Sequence, residues 1–478
     1  MNTATSGLLI RDAELDGGRR ADVRITDDTI AEIAPGLTPQ PGDAVIDARG
    51  GALLPGLCDH HLHLHALAAH ASSVPCGPPE VTDASGLAGA LAGAAADEGG
   101  WVRGVGYVET VAGDLDAGTL DRLHPGRPVR IQHRSGALWM LNGAGVAVLG
   151  LAGGDHPGIE RDRHGVPTGR LWRADDWLRT RLPRSRPPDL APVGARLAGL
   201  GITSVTDATP DLDAAAIQAV TGAMASGSVP QHVRLLGVPV GWRPARAERT
   251  PLAGPYKIVL ADSALPDLDT LTERITEVHA HGRAVAVHCV TREALVLLLA
   301  AFTDAGTLRG DRIEHAALVP AELVPTLADL GLRVVTQPGF LGHRGDDFLR
   351  DVPEAEHVDL YRCRSLAEAG VPLAPSSDAP YGPLDPWVVI AAAVARRTPS
   401  GRTAGPVERL SAAGALAGYL ADGTDPGGPP RRIRAGTAAD LVLLRVPRAV
   451  ALSGPSADHV RATVIGGTLV WDGSAIIR

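Results

Sequence analysis

Residues 56–65 read GLCDHHLHLH, a short apolar run that ends in a cluster of histidines. Side chains at positions i and i+2 of a β-strand point to the same face, so His61 and His63 could bind one cation together. Asp59 and His65 share that face, and the spacing alone does not decide which of these side chains bind. A buried histidine with a purely structural role is the alternative. We interpret the segment as a strand that carries metal ligands near its carboxyl end.

Seven segments further along the chain have the same form, a short apolar strand candidate followed by a helix-like stretch. Residues 267–282 and 291–306 are examples of the helix candidates. Eight strand–helix repeats predict an α/β protein built on a (β/α)₈ TIM-like barrel. The seven segments are ITSVTDA from Ile202, VRLLGVPV from Val233, YKIVLAD from Tyr256, AVAVHCV from Ala284, RIEHAA from Arg312, RVVTQP from Arg333 and VPLAPSSDA from Val371.

The two ends of the chain have a different pattern. Apolar and polar residues alternate between Gly, Asp and Pro turns in residues 7–54, and again in short runs after Asp440 and Ala462, which predicts β-hairpins. We therefore expect residues 1–54 and 434–478 to form one small β-sandwich domain, and residues 55–433 to form the barrel domain.

The first two barrel strands are separated by an insertion at about 66–198, far longer than a βα unit needs. It contains strand candidates of its own, WVRGVGYV and RPVRIQH. We interpret it as a segment over the barrel mouth, either a lid or part of the substrate pocket. A structural role, or a role in forming a homodimer, is the alternative.

Composition excludes several classes of protein. The net charge of −9 opposes a nucleic-acid surface, which needs a basic stripe. The longest apolar run, 294–302, is too short for a bilayer span of about 20 residues. The first residues do not have the pattern of a signal peptide, and the four cysteines are widely spaced. These features predict a cytoplasmic protein that has no nucleic-acid partner and no membrane partner.

Three more candidate ligands stand at the ends of predicted strands. His288 ends AVAVH, His315 ends RIEH, and Asp378 ends PLAPSSD. The carboxyl ends of the strands are where barrel enzymes place their sites. Each residue also has an ordinary alternative, a buried core imidazole for the histidines and a helix N-cap for the aspartate.

One lysine, Lys257, occurs among the 45 lysine and arginine residues of the chain. It lies near the start of an apolar strand candidate, where a buried ammonium is costly unless it is paired or neutralised. A salt bridge to Asp262 would explain it, but arginine would serve there equally well. A reaction that needs a neutral amine would explain why lysine was kept, because arginine does not lose its proton.

These segments, taken in order, resemble the amidohydrolase superfamily, and most closely its YtcJ-like, amidohydrolase-3 branch. The resemblance covers most of the chain and implies a barrel with two divalent metal ions, zinc first among them and manganese, iron or cobalt as alternatives. It also implies that Lys257 is N-carboxylated and bridges the two ions. The segments that carry it are PGLCDHHLHL, PTGRLW, YKIVLADS, AVAVHCV, RIEHA, VVTQPGF, CRSLAEAGVPLAPSSDAPYGPLDP and AGTAADLVLL. The implied metal ligands are His61, His63, Lys257, His288, His315 and Asp378.

The implied reaction is hydrolysis of an amide-type C–N bond in a small-molecule substrate, an N-acyl, N-formyl or cyclic amide, by a metal-bridging hydroxide with Asp378 as general acid and base. Gln337, Trp172 and Tyr381 are candidate substrate contacts. A one-metal deaminase of the same superfamily is one alternative, although the glutamate expected three residues after His288 is replaced by Thr291. A catalytically silent binding barrel is the other.

The insertion departs from the family pattern at two places. Residues 135–137 read Ser-Gly-Ala where many relatives have a histidine, and residues 170–173 read Arg-Leu-Trp-Arg where a glycine-leucine-glutamate-like ending is usual. Both departures concern the substrate rather than the metal site.

Overall fold

The computed structural model describes residues 7–183, 187–244 and 249–473. The chain divides into two compact units, one made of Met1–Leu64 and Leu190–Arg478 and the other of His65–Asp189. The strands of the described residues are, in chain order, β1 (Leu8–Glu14), β2 (Arg20–Thr26), β3 (Thr29–Ala34), β4 (Ala44–Asp47), β5 (Leu53–Pro55), β6 (Leu57–Leu62), β7 (Val74–Pro75), β8 (Val102–Tyr107), β9 (Val129–His133), β10 (Leu138–Leu141), β11 (Ile159–Arg161), β12 (Pro167–Trp172), β13 (Ile202–Asp207), β14 (His232–Leu235), β15 (Leu252–Ala253), β16 (Tyr256–Val259), β17 (Val285–Cys289), β18 (Arg312–His315), β19 (Arg333–Thr336), β20 (Leu373–Pro375), β21 (Leu441–Leu444), β22 (Val460–Ile465) and β23 (Thr468–Asp472).

The α-helices of the same residues are α1 (Leu64–Ala71), α2 (Ala84–Ala92), α3 (Glu109–Ala112), α4 (Ala117–Leu123), α5 (Gly143–Val148), α6 (Asp175–Arg181), α7 (Ala191–Gly199), α8 (Ala214–Ala225), α9 (Leu268–Ala280), α10 (Arg292–Ala305), α11 (Val324–Asp329), α12 (Gly339–Asp351), α13 (Cys363–Glu368), α14 (Pro386–Ala395), α15 (Ala412–Leu420) and α16 (Arg448–Ser453). None of these helices combines the length and the apolar character that crossing a lipid bilayer requires.

The terminal segments form two four-stranded sheets, with orders β3-β2-β1-β4 and β23-β22-β21-β5. β1, β2 and β3 pair as antiparallel hairpins, and β5 pairs antiparallel with β21. Ile10 and Val23 from the first sheet share a hydrophobic cluster with Leu443 and Val464 from the second. The hairpins predicted at both ends of the chain are confirmed, and the two ends contribute to one core.

Each of the eight predicted barrel segments contains a strand. These strands lie in two parallel sheets, with orders β15-β14-β13-β6 and β16-β17-β18-β19-β20. Most residues of these strands are buried, as expected for parallel strands covered on both faces. Backbone hydrogen bonds connect the sheets. They run from Lys257 N to Leu236 O at 3.2 Å, from Asp378 N to His61 O at 2.8 Å and from His63 N to Ala379 O at 2.9 Å. The predicted α/β class is confirmed.

The helices between the parallel strands follow the sequence signals closely. Asp267 accepts a hydrogen bond from the backbone N–H of Thr270 at the start of α9, and Thr291 accepts one from Ala294 at the start of α10. Such N-caps each contribute about 1 kcal/mol. α10 ends where Gly306 adopts a φ of 74°, a conformation that favours glycine. Both helices were predicted, and their buried faces share one cluster with the apolar side chains of β17 and β18.

The unit formed by His65–Asp189 contains a separate six-stranded sheet, with order β11-β12-β10-β9-β8-β7. The two strand candidates predicted in the insertion form β8 and β9. The PTGRLW segment forms β12, which pairs antiparallel with β10 so that Leu171 lies opposite Trp139. This unit has its own hydrophobic clusters, around Tyr107 and around Trp101.

Candidate metal centre

His61 lies on β6, and His63 lies just beyond its end. β6 ends at Leu62, His63 follows it, and His65 belongs to α1. The chain leaves the strand there because the Asp207 carboxylate accepts a hydrogen bond from Leu64 N at 2.7 Å. The expectation that His65 shares a strand face with His61 is therefore wrong, while His61 and His63 are still brought together, with ring centroids 5.5 Å apart.

His288 and His315 come from the neighbouring strands β17 and β18. Their rings meet edge to face with centroids 4.5 Å apart, and the His315 ring lies 4.9 Å from that of His61. His315 has a φ of 72°, in the left-handed region that residues other than glycine rarely adopt. Backbone strain of this kind persists where the surrounding structure enforces it, and it is concentrated at functional sites.

Asp378 follows β20 and completes this cluster, and it also has a left-handed φ, of 53°. Its Oδ1 lies 3.1 Å from His63 Nε2 and 3.4 Å from His61 Nε2, and its Oδ2 lies 3.9 Å from His315 Nδ1. His61, His315 and Asp378 each offer a ligand atom within 4.8 Å of the others, and all three are buried. Three side chains from three distant segments therefore converge on one small volume.

The free nitrogen of His61 fits a metal ion. Its Nε2 is buried and makes no hydrogen bond within the described residues, whereas its Nδ1 contacts the Glu314 carboxylate. A buried nitrogen without a partner is costly unless a ligand uses it. Imidazole nitrogens with a carboxylate are the donors that zinc and related transition metals take. The residues present therefore fit the metal that the sequence predicted.

The electrostatics of the cluster favour a neutral His315 beside an ionised Asp378. At His61, burial lowers the pKa, but the carboxylates of Glu314 and Asp378 outweigh burial and raise it. Burial lowers the pKa of His315 to about 3, against the raising effect of Asp378, so its ring is neutral and can donate a lone pair. Burial opposes ionisation of Asp378, but the rings of His61 and His63 hold its pKa well below the ordinary value. His315 and Asp378 are therefore in the protonation states that a metal site requires.

Lys257 lies on β16 with its side chain buried. Burial lowers the pKa of its ammonium group, while the negative charges of Glu314 and Asp378 act in the opposite direction. Within the described residues no ion pair joins Lys257 to Asp262, whose carboxylate instead accepts a hydrogen bond from Thr291 at 3.1 Å. The salt bridge considered from the sequence is therefore not observed.

The three predicted substrate contacts have different surroundings. Gln337 is buried, its Oε1 accepting from His315 Nδ1 at 2.8 Å and its Nε2 donating to Ser376 Oγ at 2.9 Å. The Tyr381 ring lies 5.4 Å from that of His63, edge to face. Trp172 belongs to the unit of His65–Asp189, is 42% exposed and donates to Glu160 at 3.1 Å.

Sequence reasoning missed two buried residues beside the centre. Glu314 contacts His61, and Arg312 donates to the other oxygen of Glu314 at 2.5 Å. Both come from the RIEH segment, and neither is more than 1% exposed. The signal that could have found them is an arginine and a glutamate two positions apart inside a strand expected to be buried, because charges are kept there only when they are paired.

Three comparisons with known proteins complete the description. A model of the amidohydrolase family matches residues 44–471. The N-substituted formamide deformylase of Arthrobacter pascens is 27% identical, over 84% of this chain and 85% of that protein. A putative amidohydrolase of Bacillus subtilis strain 168, YtcJ, is 24% identical over 75% and 76%. The crystal structure of an uncharacterized metal-dependent hydrolase from Pyrococcus horikoshii OT3 superposes with a TM-score of 0.74, at 19% identity, over 94% of this chain and 99% of that one.

Proposed function

The chain belongs to the amidohydrolase family, and we propose that it is a metal-dependent hydrolase that cleaves an amide-type C–N bond of a small molecule. The membership confirms the resemblance drawn from the sequence segments. One observation carries the proposal: buried His61, His315 and Asp378 place ligand atoms within 4.8 Å of one another, and His61 Nε2 has no hydrogen-bond partner within the described residues.

The proposal includes a scaffold for this site, a closed (β/α)₈ barrel formed by the two parallel sheets together with a β-sandwich formed by the chain ends. The backbone hydrogen bonds from Lys257 to Leu236 and from Asp378 to His61 support closure, because they join the sheets at both edges. The pairing of β5 with β21 supports a terminal domain built from both ends of the chain.

We propose two metal positions, with zinc as the ion. His61 and His63 would bind the first ion together with Asp378, and His288 and His315 would bind the second. N-carboxylated Lys257 would bridge them. Two features support this role for Lys257: it is the only lysine in the sequence, and its side chain is buried, which lowers the pKa of its ammonium group. A carbamate forms on a neutral amine, which arginine does not provide.

Two bound cations would supply an activated water and polarise the substrate carbonyl. The protein's own contribution centres on Asp378. Its Oδ1 faces His61 and His63, which leaves Oδ2 on the side of His315 to accept a proton. Oδ2 would then return that proton to the leaving nitrogen as the C–N bond breaks. Burial of the surrounding side chains excludes bulk water and strengthens these charge interactions.

The surroundings of Thr291 favour the hydrolase over the deaminase alternative. That position, where such enzymes would place a glutamate, caps the start of α10 and donates to Asp262. These contacts give Thr291 a structural role, and its hydroxyl does not supply the carboxylic acid that a deaminase of this kind uses.

The relative from Arthrobacter pascens suggests which substrates to test first, namely N-substituted formamides. Tyr381, beside His63, is our first candidate for a substrate contact. Trp172, Gln337 and the homodimer stay predictions. Four free and buried cysteines are consistent with the reducing cytoplasm that we propose as the compartment.

The proposed function is tested with protein prepared in the presence of zinc or manganese and bicarbonate. We expect about two metal ions per chain by elemental analysis, together with release of amine from N-substituted formamides or N-acyl amines, or ring opening of cyclic amides. Lys257→Arg should lose most of its metal and most of its activity. Full metal content and full turnover in that variant would refute the bridging role, and ammonia release from aminated heterocycles would favour the deaminase.

A further inference from the structure

We propose that Glu314 is a positioning residue for His61, which it orients so that the Nε2 lone pair faces the metal centre. The inference rests on the proposed function, because it assigns a role within the same site. It concerns a residue outside the proposed set of metal ligands and substrate contacts, and it explains why a charged pair is buried in β18.

The contacts form a continuous chain from β18 to β6. Glu314 Oε2 contacts His61 Nδ1, and Glu314 Oε1 accepts a hydrogen bond from Arg312 Nε at 2.5 Å. Arg312 Nη2 in turn donates to the backbone oxygen of His60 at 3.2 Å. The Arg312 and Glu314 side chains are at most 1% exposed, so water does not compete for these groups.

A carboxylate at this position decides the tautomer of His61. An ionised carboxylate only accepts hydrogen bonds, so the Nδ1 beside it must carry the proton. The lone pair is then on Nε2, the atom that lies 3.4 Å from Asp378 Oδ1 without a hydrogen bond. A histidine that donates its second N–H to a carboxylate is a stronger and better oriented metal ligand.

A second buried pair in the same unit shows what a purely structural arrangement looks like. Glu408 is 1% exposed and lies 3.2 Å from Arg362 Nη1, but its Oε2 accepts from the backbone N–H of Ser365 at 2.9 Å. Both of its oxygens therefore hold the chain in place. Glu314 uses one oxygen for Arg312 and the other for an imidazole of the proposed metal centre, which is the difference that the inference depends on.

The test compares Glu314→Gln with Glu408→Gln in the full chain. Both changes remove one charge from a buried, arginine-paired glutamate at almost constant volume. Each protein is stripped of metal and titrated with Co²⁺ against a chelator, with the visible Co²⁺ spectrum and the urea unfolding midpoint recorded. We expect Glu314→Gln to weaken Co²⁺ binding by roughly 10- to 100-fold and to alter the spectrum. Glu408→Gln should lose stability while keeping the affinity of the unaltered protein.

The outcomes separate this inference from the proposed function. If the unaltered protein binds Co²⁺ and Glu314→Gln binds it equally well with the same spectrum, the positioning role is refuted and the hydrolase proposal stands. If the unaltered protein binds no divalent cation, both fail. Should Glu314→Gln not fold, Glu314→Asp replaces it, since the shorter carboxylate keeps the charge but withdraws from His61. An affinity loss there supports the inference, and an unchanged affinity overturns it.

Discussion

His61 and His63 come from one segment of five residues around the end of β6, yet the protein holds them in different ways. The side chain of His61 is 1% exposed and its Nδ1 contacts a buried carboxylate, Glu314. That of His63 is 14% exposed, and its Nδ1 lies 3.1 Å from the Thr209 hydroxyl, with the Tyr381 ring on one side. We call His61 the inner end of the site and His63 the outer end. The Nδ1 of His61 is held by a charged group inside the core, and the Nδ1 of His63 by a neutral group within reach of water.

The difference indicates a division of labour within a single HxH pair. A buried, charged network has one favourable arrangement, because leaving any member unpaired is costly. A hydroxyl at a partly exposed position can be replaced by water at little cost. We therefore expect changes at the inner end to alter metal binding strongly and changes at the outer end to alter it weakly. His315, held by the buried but neutral amide of Gln337, should fall between them.

The largest effect on activity is expected at Asp378. Its carboxylate lies beside both His61 and His63, so its loss should affect both ends of the site. Asp378→Asn removes the charge near His61 and His63 and the proposed proton acceptor, and kcat should fall by about 10²- to 10⁴-fold. Steady-state kinetics at saturating metal measure this. Asp359→Asn is the control, because Asp359 is buried and pairs with Arg362 at 2.5 Å away from the site. A variant at Asp378 that kept turnover within tenfold of the unaltered protein would contradict the assigned role.

An intermediate effect is expected at Gln337. Gln337→Leu removes the hydrogen bonds to His315 and Ser376 and leaves buried polar groups without partners. The free energy of unfolding of the metal-free protein should fall by about 1–3 kcal/mol, measured by urea denaturation. Metal affinity should fall by less than in Glu314→Gln, because an amide adds no charge to the ring. An equal or larger loss of metal affinity would show that the charge of Glu314 is not what makes it more important for metal binding than Gln337.

The smallest effect is expected at Thr209. Thr209→Val exchanges the hydroxyl for a methyl group and removes the bond to His63 Nδ1, which is worth about 1 kcal/mol, or about fivefold in affinity. Water can reach the half-buried position and recover part of this. Co²⁺ titration of the variant measures the change. A loss as large as that of Glu314→Gln would show that the two ends of the site are equally constrained, and the comparison would fail.

Local signals in the sequence predicted much of the framework. Each of the eight parallel strands lies in a segment that the sequence marks as a strand candidate, and α9 and α10 start at the capping residues Asp267 and Thr291. His288, His315 and Asp378 were selected because they end such runs, and topology brings the ends of parallel strands to one side of a sheet. These predictions depend on patterns that are complete within a few neighbouring residues.

The remainder depends on contacts that no short pattern contains. Glu314 and His61 are 253 positions apart. Where the chain leaves β6 after Leu62, the N–H of Leu64 donates to Asp207, which is 143 positions further along. The position of Gln337 at the end of a strand predicts a substrate contact, but gives no sign of the hydrogen bonds that its amide makes to His315 and Ser376. In each case a distant side chain decides the local structure, and only the folded chain brings the two together.

The burial of Lys257 also determines how the protein meets reagents. Its side chain is the only side-chain primary amine in the sequence and is 5% exposed, so acylating reagents that modify most proteins at many surface positions find almost none here. Modification at this position requires the native structure to open. In metal-free protein, where the proposed carboxylation no longer blocks the amine, its rate would report how often the region around β16 opens locally, as amide hydrogen exchange does for backbone groups. One residue thus provides a single-site probe of local opening in the folded protein.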